Sequence, residues 1–373
     1  MKKILIFTCI GGHTLTSNAL QNYLSSNYEI VTSDILETLP IDHTLRSMTR
    51  NSVCAGSVYS FFCRYHLLYM LSKCIRIFYW YLNRKKKQIA CYIQQHIARH
   101  HPDMIISVIP FFNDLLLQSA QHYNIPFILA PTDFEISHFL YGISTSLYEK
   151  FHICLAFDSP FIQKTLQDHG SFPHVHVTGP ILRPDFFVPK DNKGLRKKWH
   201  IKPGVPVILL MMGSEGAQDI IPCMKQLLEI SCPVHIFCLL GKYTELQQKV
   251  KNFFYPSHIT CTVLGFTHDV ADIMAVSDIF VAKPGGMSTF EALISHLPMM
   301  LYCVNKLPFW EQPNAQFILD NCLGSLVCKL DNLAPLIENM LATSAYVSYK
   351  AAFERIPHQD GGRRLESLVK SMI

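Results

Sequence analysis

Val205-Pro-Val-Ile-Leu-Leu-Met211, followed by Met212-Gly-Ser-Glu-Gly-Ala217, is an apolar run that ends in a glycine turn, and Asp219–Ile230 beyond it has the spacing of a helix. A run without polar alternation reads as a strand buried on both faces, the habit of parallel sheets flanked by helices. Toward the C-terminus, Pro233–Leu240, Thr260–Leu264, Ile279–Ala282 and Met299–Tyr302 continue as strands with helices between them. Toward the N-terminus, the same succession opens the chain: a β-rich Lys2–Thr8, a turn at Cys9–His13, and a helix over Thr14–Leu24 with Leu20, Tyr23 and Leu24 on one face. Tyr28–Ser33, Met104–Val108, Pro126–Ala130 and Val175–Gly179 are further strands, with a helix near Leu115–His122. Strands alternating with helices predict an α/β fold of two halves, each with a mainly parallel sheet and a glycine loop after its first strand. The expected ligand site is a cleft between the halves, at the carboxyl ends of the strands. Val188-Pro-Lys-Asp-Asn-Lys-Gly194 is the best linker. It divides an expected first domain, 1–187, from a second, 195–352, and 353–373 is expected to form a helix that packs back on the first.

The whole-chain figures agree with this reading. At ~150 residues per domain, 373 residues make two domains or one large one. Apolar types are 49% and charged types 16%, which excludes a disordered chain. Thirteen cysteines without zinc-type C-x2-C pairs argue against a secreted disulfide scaffold and fit a reducing cytosol. Ile4–Thr8 is too short for the apolar core of a signal peptide, and no charge-free apolar run reaches the ~18 residues of a membrane span. A cytosolic protein without a spanning helix is expected.

Three windows carry chemistry. Gly11-Gly12-His13 joins the first strand to the first helix, where glycines let the backbone approach an anion at the helix start and His13 can serve as a general base. The competing reading is a tight turn with His13 as a polar cap. Met212–Ala217 is the matching turn of the second half, with Ser214 as a further hydroxyl donor and the same plain-turn alternative. Lys283-Pro-Gly-Gly-Met-Ser-Thr-Phe-Glu-Ala-Leu293 is the most informative. Pro284-Gly285-Gly286 frees backbone amides, Ser288 and Thr289 open a helix with Glu291 in its first turn, and such a start suits a phosphate while the carboxylate can accept both hydroxyls of a ribose. Against this, Ser288-x-x-Glu291 is also a capping box. The P-loop, the G-x-S-x-G elbow and H-E-x-x-H are missing from the sequence. There is no D-x-D diad to call for a divalent metal, and His96 with His100 lacks a third ligand nearby.

Charge is concentrated in one segment. Between Asp42 and Asp103 there are ten Lys or Arg and no acidic residue, leaving 23 basic against 28 acidic residues in the remainder. Val58–Leu82 interleaves Phe61, Phe62 and Trp80 with Arg64, Lys73 and Arg76, and Arg84-Lys85-Lys86-Lys87 follows. A basic, aromatic helix of this kind suits an anionic membrane interface, each cation contributing ~1 kcal/mol near the surface. A solvated face beside a core helix is the bland alternative. Nucleic acid is not the expected partner, since nothing else in the chain resembles a nucleic-acid module.

Together these windows resemble glycosyltransferase family 28, and within it the monogalactosyldiacylglycerol synthases and processive diacylglycerol glucosyltransferases. Gly11-Gly12-His13 with Ala19-Leu20 resembles the family's glycine–histidine loop, and the aromatic–basic segment (43–102) lies where these enzymes carry their lipid-acceptor region. Thr132-Asp133-Phe134 with His138, Val177-Thr-Gly-Pro180 and Leu209-Leu-Met-Met-Gly-Ser-Glu-Gly216 match further family elements in order. Leu264-Gly-Phe266, Asp278, Lys283–Gly286, Glu291–Leu293 and Leu297-Pro298 resemble the nucleotide signature, and Glu311 with Asn314-Ala315 resembles the family's P-G-Q-E-x-x-N-A.

The resemblance implies a GT-B fold of two Rossmann-like halves and an inverting transfer from a UDP-sugar without a metal or other cofactor. It implies His13 as base, with Asp133 orienting or replacing it, and Glu291 on the ribose. Gly285, Gly286, Met287 and Ser288 would hold the diphosphate, and Glu311 the sugar hydroxyls. Gly12, Gly213, Ser214, Phe266, Lys283 and Asn314 complete the donor set. Phe61, Phe62, Arg64, Lys73, Arg76, Trp80, Arg84, Lys85, Lys86 and Lys87 would face acceptor and membrane. The implied partners are a UDP-sugar, diacylglycerol and the anionic inner face of the membrane. Two departures stand out: Ile10 occupies the place of the first of three glycines, and Phe309-Trp310 replaces Gly-Gln before Glu311. Trp310 can stack on a sugar ring but cannot accept a hydrogen bond from it. The competing functions are N-acetylglucosaminyl transfer to a polyprenyl-linked peptidoglycan precursor, suggested by Gly213–Ala217, a sugar-nucleotide epimerase, and a non-catalytic UDP-sugar sensor.

Overall fold

Apolar runs such as Ile4–Phe7 and Val207–Met211 become strands with no exposed face, because helices cover both sides of each sheet. The computed structural model describes residues 1–38, 47, 54–65, 67–243 and 245–373. Residues 43–46, 48–53 and 66 of the basic segment, Arg46 and Arg50 among them, lie outside the described residues. The chain forms two units, one of residues 1–59, 71–184 and 358–373, the other of residues 60–70 and 185–357.

In the first unit, β1 (Lys3–Thr8), β2 (Glu29–Asp34), β3 (Met104–Ser107), β4 (Phe127–Leu129), β5 (Phe151–Leu155) and β6 (Val175–Val177) form a parallel sheet in the order β2-β1-β3-β4-β5-β6. The first helix, Gly12–Leu24, lays Ala19, Leu20, Tyr23 and Leu24 against Ile4, Ile6 and Met104. The last helix, Gly361–Met372, adds Leu365 and Val369 to the same core, each contributing ~1.5–3 kcal/mol by burial. Its start is capped by Asp360, whose carboxylate accepts from the Arg363 amide at 3.1 Å. Gly362 sits so close to Tyr23 that a Cβ there would lie 2.1 Å from the ring's Cε2.

In the second unit, β7 (Val207–Met211), β8 (Val234–Leu239), β9 (Ile259–Leu264), β10 (Ile279–Ala282), β11 (Met299–Tyr302) and β12 (Gly324–Val327) form a parallel sheet in the order β9-β8-β7-β10-β11-β12. This is the strand order of dinucleotide-binding sheets, with the direction of winding reversing between β7 and β10. In the first unit the reversal falls between β1 and β3.

Three expectations change. The stretch 188–194 is not a bare tether: Lys190 Nζ pairs with Asp272 at 2.7 Å and a helix begins at Asn192, because charge partners on the second unit hold it. The basic aromatic segment is not one helix but Ala55–Arg64, Leu68–Lys73 and Ile75–His100. Residues 60–70 of it pack with the second unit and not with the first domain as expected. Finally, 353–357 stays with the second unit, and the helix that joins the first begins at Gly361.

Candidate active site

In open parallel sheets, ligands gather outside the carboxyl ends of the strands where the winding reverses. In the first unit that point is flanked by the loops after β1 and β3, and His13 bridges them. Gly11, at φ 77°, turns the chain, and the first helix then starts at Gly12 and places His13 in its first turn. The ring's Nδ1 lies 2.7 Å from the Val108 carbonyl at the end of β3. A carbonyl can only accept, so Nδ1 carries the proton, and the Thr132 hydroxyl oxygen, 3.0 Å away, is a second acceptor for it. Among the described residues both hydrogen bonds of the ring fall on Nδ1, which leaves the Nε2 lone pair as the basic site. Burial lowers the ring's pKa to about 4, against the opposing pull of the Val108 carbonyl. His13 is therefore neutral at physiological pH, the state a general base requires.

Asp133 is half-buried and directly follows Thr132, whose hydroxyl meets the His13 ring. The β3 loop is itself pinned. Ser107 Oγ donates to Asn113 Oδ1 at 2.6 Å, and Asn113 Nδ2 donates to the carbonyls of Ile109 at 2.7 Å and Phe139 at 2.9 Å. Phe111 holds a left-handed φ of 74°, its amide donating to the His138 carbonyl at 2.7 Å. Its ring packs against Phe78 and Tyr79 of the helix Ile75–His100, and Tyr79 bonds His138 Nδ1 through its hydroxyl. Burial, with a smaller push from His169, lowers His138 to about 4.

In the second unit the reversal lies between the loops after β7 and β10. The glycine turn has Gly213 at φ 87° and Gly216 at φ 70°, and a Cβ on Gly216 would meet the Leu240 carbonyl oxygen at 2.2 Å. Lys283 closes β10 and pairs with buried Asp219 at 3.3 Å, linking the two loops. The helix after β10 runs from Gly286 to Ile294 with Gly285 as its N-cap, and among the described residues no side chain caps it. The Ser288–Glu291 capping box is thus not formed, because the helix starts two residues earlier than the hydroxyl pattern suggested. The first helical hydrogen bond is Thr289 N to Gly285 O at 3.0 Å, so the amides of Gly286, Met287 and Ser288 precede it and point out of the helix end. Such an end with a positive dipole suits a diphosphate. Ser288 Oγ donates to Gly285 O at 3.1 Å, and Glu291 is half-buried on the second turn rather than the first.

Glu311 is buried, and no hydrogen bond reaches its carboxylate among the described residues. Burial raises its pKa to about 7, with Lys283 pulling the other way. Asn314 is fully buried, and its Nδ2 donates to Pro284 O at 2.8 Å, so it braces the loop that precedes the helix start. Phe266 stands half-exposed beyond β9, edge-on to His268. Trp310 meets Phe309 edge to face.

The acceptor and membrane residues separate into groups. Lys73, Arg76, Ile77, Trp80, Arg84 and Lys87 are exposed at helical spacing, Ile77 by 67% and Trp80 by 61%, and Arg84 covers the Trp80 ring at 5.5 Å. Lys85 and Phe62 are half-buried, whereas Phe61 is exposed. Lys86 is turned away to buried Asp114 at 2.7 Å, and Arg64 lies over the Tyr243 ring at 5.0 Å in the second unit. Among the described residues no helix is long and apolar enough to cross a membrane, and no group of three or more His, Cys, Asp or Glu is arranged to hold a metal ion.

Sequence reasoning misses Thr132, Val108 and Asn113 as functional positions. Thr132 stands in the T-D-aromatic element, but the Val108 carbonyl and the buried Asn113 leave no sequence signal.

The two sheets and their loops have the fold of the GT-B glycosyltransferases, and residues 207–343 match the glycosyltransferase family 28 C-terminal domain. Similar proteins include a processive diacylglycerol beta-glucosyltransferase of Bacillus licheniformis, 24% identical over 67% of this chain and 63% of its own length. A probable chloroplastic monogalactosyldiacylglycerol synthase 2 of rice, Oryza sativa subsp. japonica, is 26% identical over 61% of this chain and 49% of its own. The similarity thus spans less than two thirds of either relative. Among solved structures, MurG of Acinetobacter baumannii superposes over 100% of both chains with a TM-score of 0.62 at 14% identity.

Proposed function

We propose that this chain is a hexosyltransferase that moves a sugar, with inversion, from a UDP-sugar to diacylglycerol at the cytoplasmic surface of a membrane. The observation that carries the reading is the tautomer of His13. With Nδ1 committed to Val108, a neutral Nε2 is left to take the proton of an acceptor hydroxyl. As that oxygen bonds to the anomeric carbon, the bond from this carbon to the UDP oxygen breaks, and the charge that develops on UDP is met by the helix start at Gly286–Ser288. Donors fixed in advance act most strongly where charge develops. Glu291 accepts from the ribose hydroxyls and Glu311 from the sugar. The names of the relatives support a diacylglycerol acceptor, and the exposed Trp80–Arg84 face supports peripheral membrane docking.

The test uses anionic vesicles containing diacylglycerol and labelled UDP-glucose, UDP-galactose or UDP-N-acetylglucosamine. Label entering the lipid from one of the hexose donors is the expected result. If only UDP-N-acetylglucosamine serves, and only with a polyprenyl-linked acceptor, the precursor-glycosylating reading replaces this one. UDP binding without transfer from any donor makes the chain a sensor.

A further inference from the structure

Residues 60–70 reach the second unit from the N-terminal part of the sequence, and they meet the glycine loop after β7. Ser60 Oγ donates to Glu215 Oε2 at 2.7 Å, and Lys242 Nζ donates to Oε1 of the same carboxylate at 2.8 Å. The Gln218 amide donates to the Arg64 carbonyl at 3.1 Å, while the Arg64 guanidinium lies over Tyr243. Further along, Lys306 covers the Tyr69 ring at 5.7 Å. On its other side the loop is already in close contact, since the Lys242 amide bonds Ser214 O at 2.8 Å and a Cβ on Gly241 would meet that oxygen at 2.3 Å.

A glutamate in a loop that receives a diphosphate is a liability, because two like charges repel and an unpaired buried carboxylate is costly. Here both carboxylate oxygens of the buried Glu215 are taken by groups outside the loop. Burial works to raise this group, and the bonds from Lys242 and Ser60, with Arg64 nearby, outweigh it and hold the carboxyl below its usual range. The carboxylate is thereby neutralised and anchored at once.

We propose that residues 60–70 are a clamp on the glycine loop, with Glu215 as the positioning residue through which Ser60 and Arg64 set the shape of the diphosphate seat. The inference rests on the reading of that loop as part of a UDP-sugar site. The experiment combines two readouts on the full chain: hydrogen exchange of the amides of residues 212–218 without ligand, and calorimetric UDP binding. Ser60→Ala is expected to speed exchange at Gln218 and to weaken UDP binding, each about tenfold, as for loss of a hydrogen bond to a charged group. Ser60→Thr, which keeps the hydroxyl, restores both, and Lys370→Ala, in an exposed pair with Glu366, changes neither. Unchanged exchange in Ser60→Ala overturns the clamp. Faster exchange with unchanged UDP affinity overturns the positioning role. Wild-type protein that binds no UDP refutes the donor reading, and exchange then decides the clamp by itself.

Discussion

Glu311→Gln separates what the second unit gives up in stability from what it gains in chemistry. Burial lifts the carboxyl from 4.5 to about 7, so the folded protein prefers the protonated form and the unfolded chain the ionised one. The group therefore costs the fold nothing well below pH 4.5, and the penalty grows as the pH rises to about 7 and levels off above it. A difference of one in pKa between folded and unfolded chain is worth ~1.36 kcal/mol, so the full penalty is about 3 kcal/mol, most of which develops between about pH 5 and about pH 8. A glutamine cannot ionise. Urea unfolding of both proteins at these two pH values is expected to show the wild type losing about 2 to 3 kcal/mol more than the variant as the pH rises. The variant should also bind a UDP-sugar less tightly while binding UDP equally well. Parallel losses in the two proteins would refute the argument, because they would mean that Glu311 ionises in the folded state as readily as in the unfolded one.

Two further outcomes follow from the first unit. Because burial holds His13 near 4, the acidic limb of kcat is expected near pH 4 rather than at the ordinary histidine value of 6.5, and His13→Ala should lower kcat by ~10²–10⁴ with UDP affinity kept. A limb near 6.5 in a pH–rate series would show that the ring titrates in solvent. Gly362→Ala drives a methyl to 2.1 Å from the Tyr23 ring and is expected to destabilise the first unit by ~1–3 kcal/mol, read by thermal unfolding.

The long apolar strands are legible in the sequence because burial on both faces leaves an unbroken run, as in Val207–Met211. Phe151–Leu155 and Gly324–Val327 are not, since His152 interrupts the first and Gly324-Ser325 has little β-propensity. Among the candidate site residues, the glycine loops and His13 are visible as motifs. The start of the helix at Gly286 is not, because Ser288 and Glu291 imitate a cap while Gly285, in extended backbone, does the capping. The partners of Glu215 and Lys86 depend on contacts across long sequence separation, which spacing along the chain does not encode. Asn314 stands out in the sequence by its motif, and only its burial against Pro284 shows it bracing the loop.

The last helix has a consequence for synthesis. Leu365 and Val369 join a core whose other members, Ile4, Leu20 and Tyr23 among them, leave the ribosome well before they do. All of 185–357 is made in between, within the second unit. At ~5–20 residues per second that interval is roughly 10 to 35 s, during which the apolar face of Gly12–Leu24 lacks its final cover. The second unit has its sheet and helices translated without interruption and needs only 60–70, already made, to be complete. The unit begun first is therefore finished last, and nascent chains that stop short of Leu365 present an open apolar groove to chaperones and proteases.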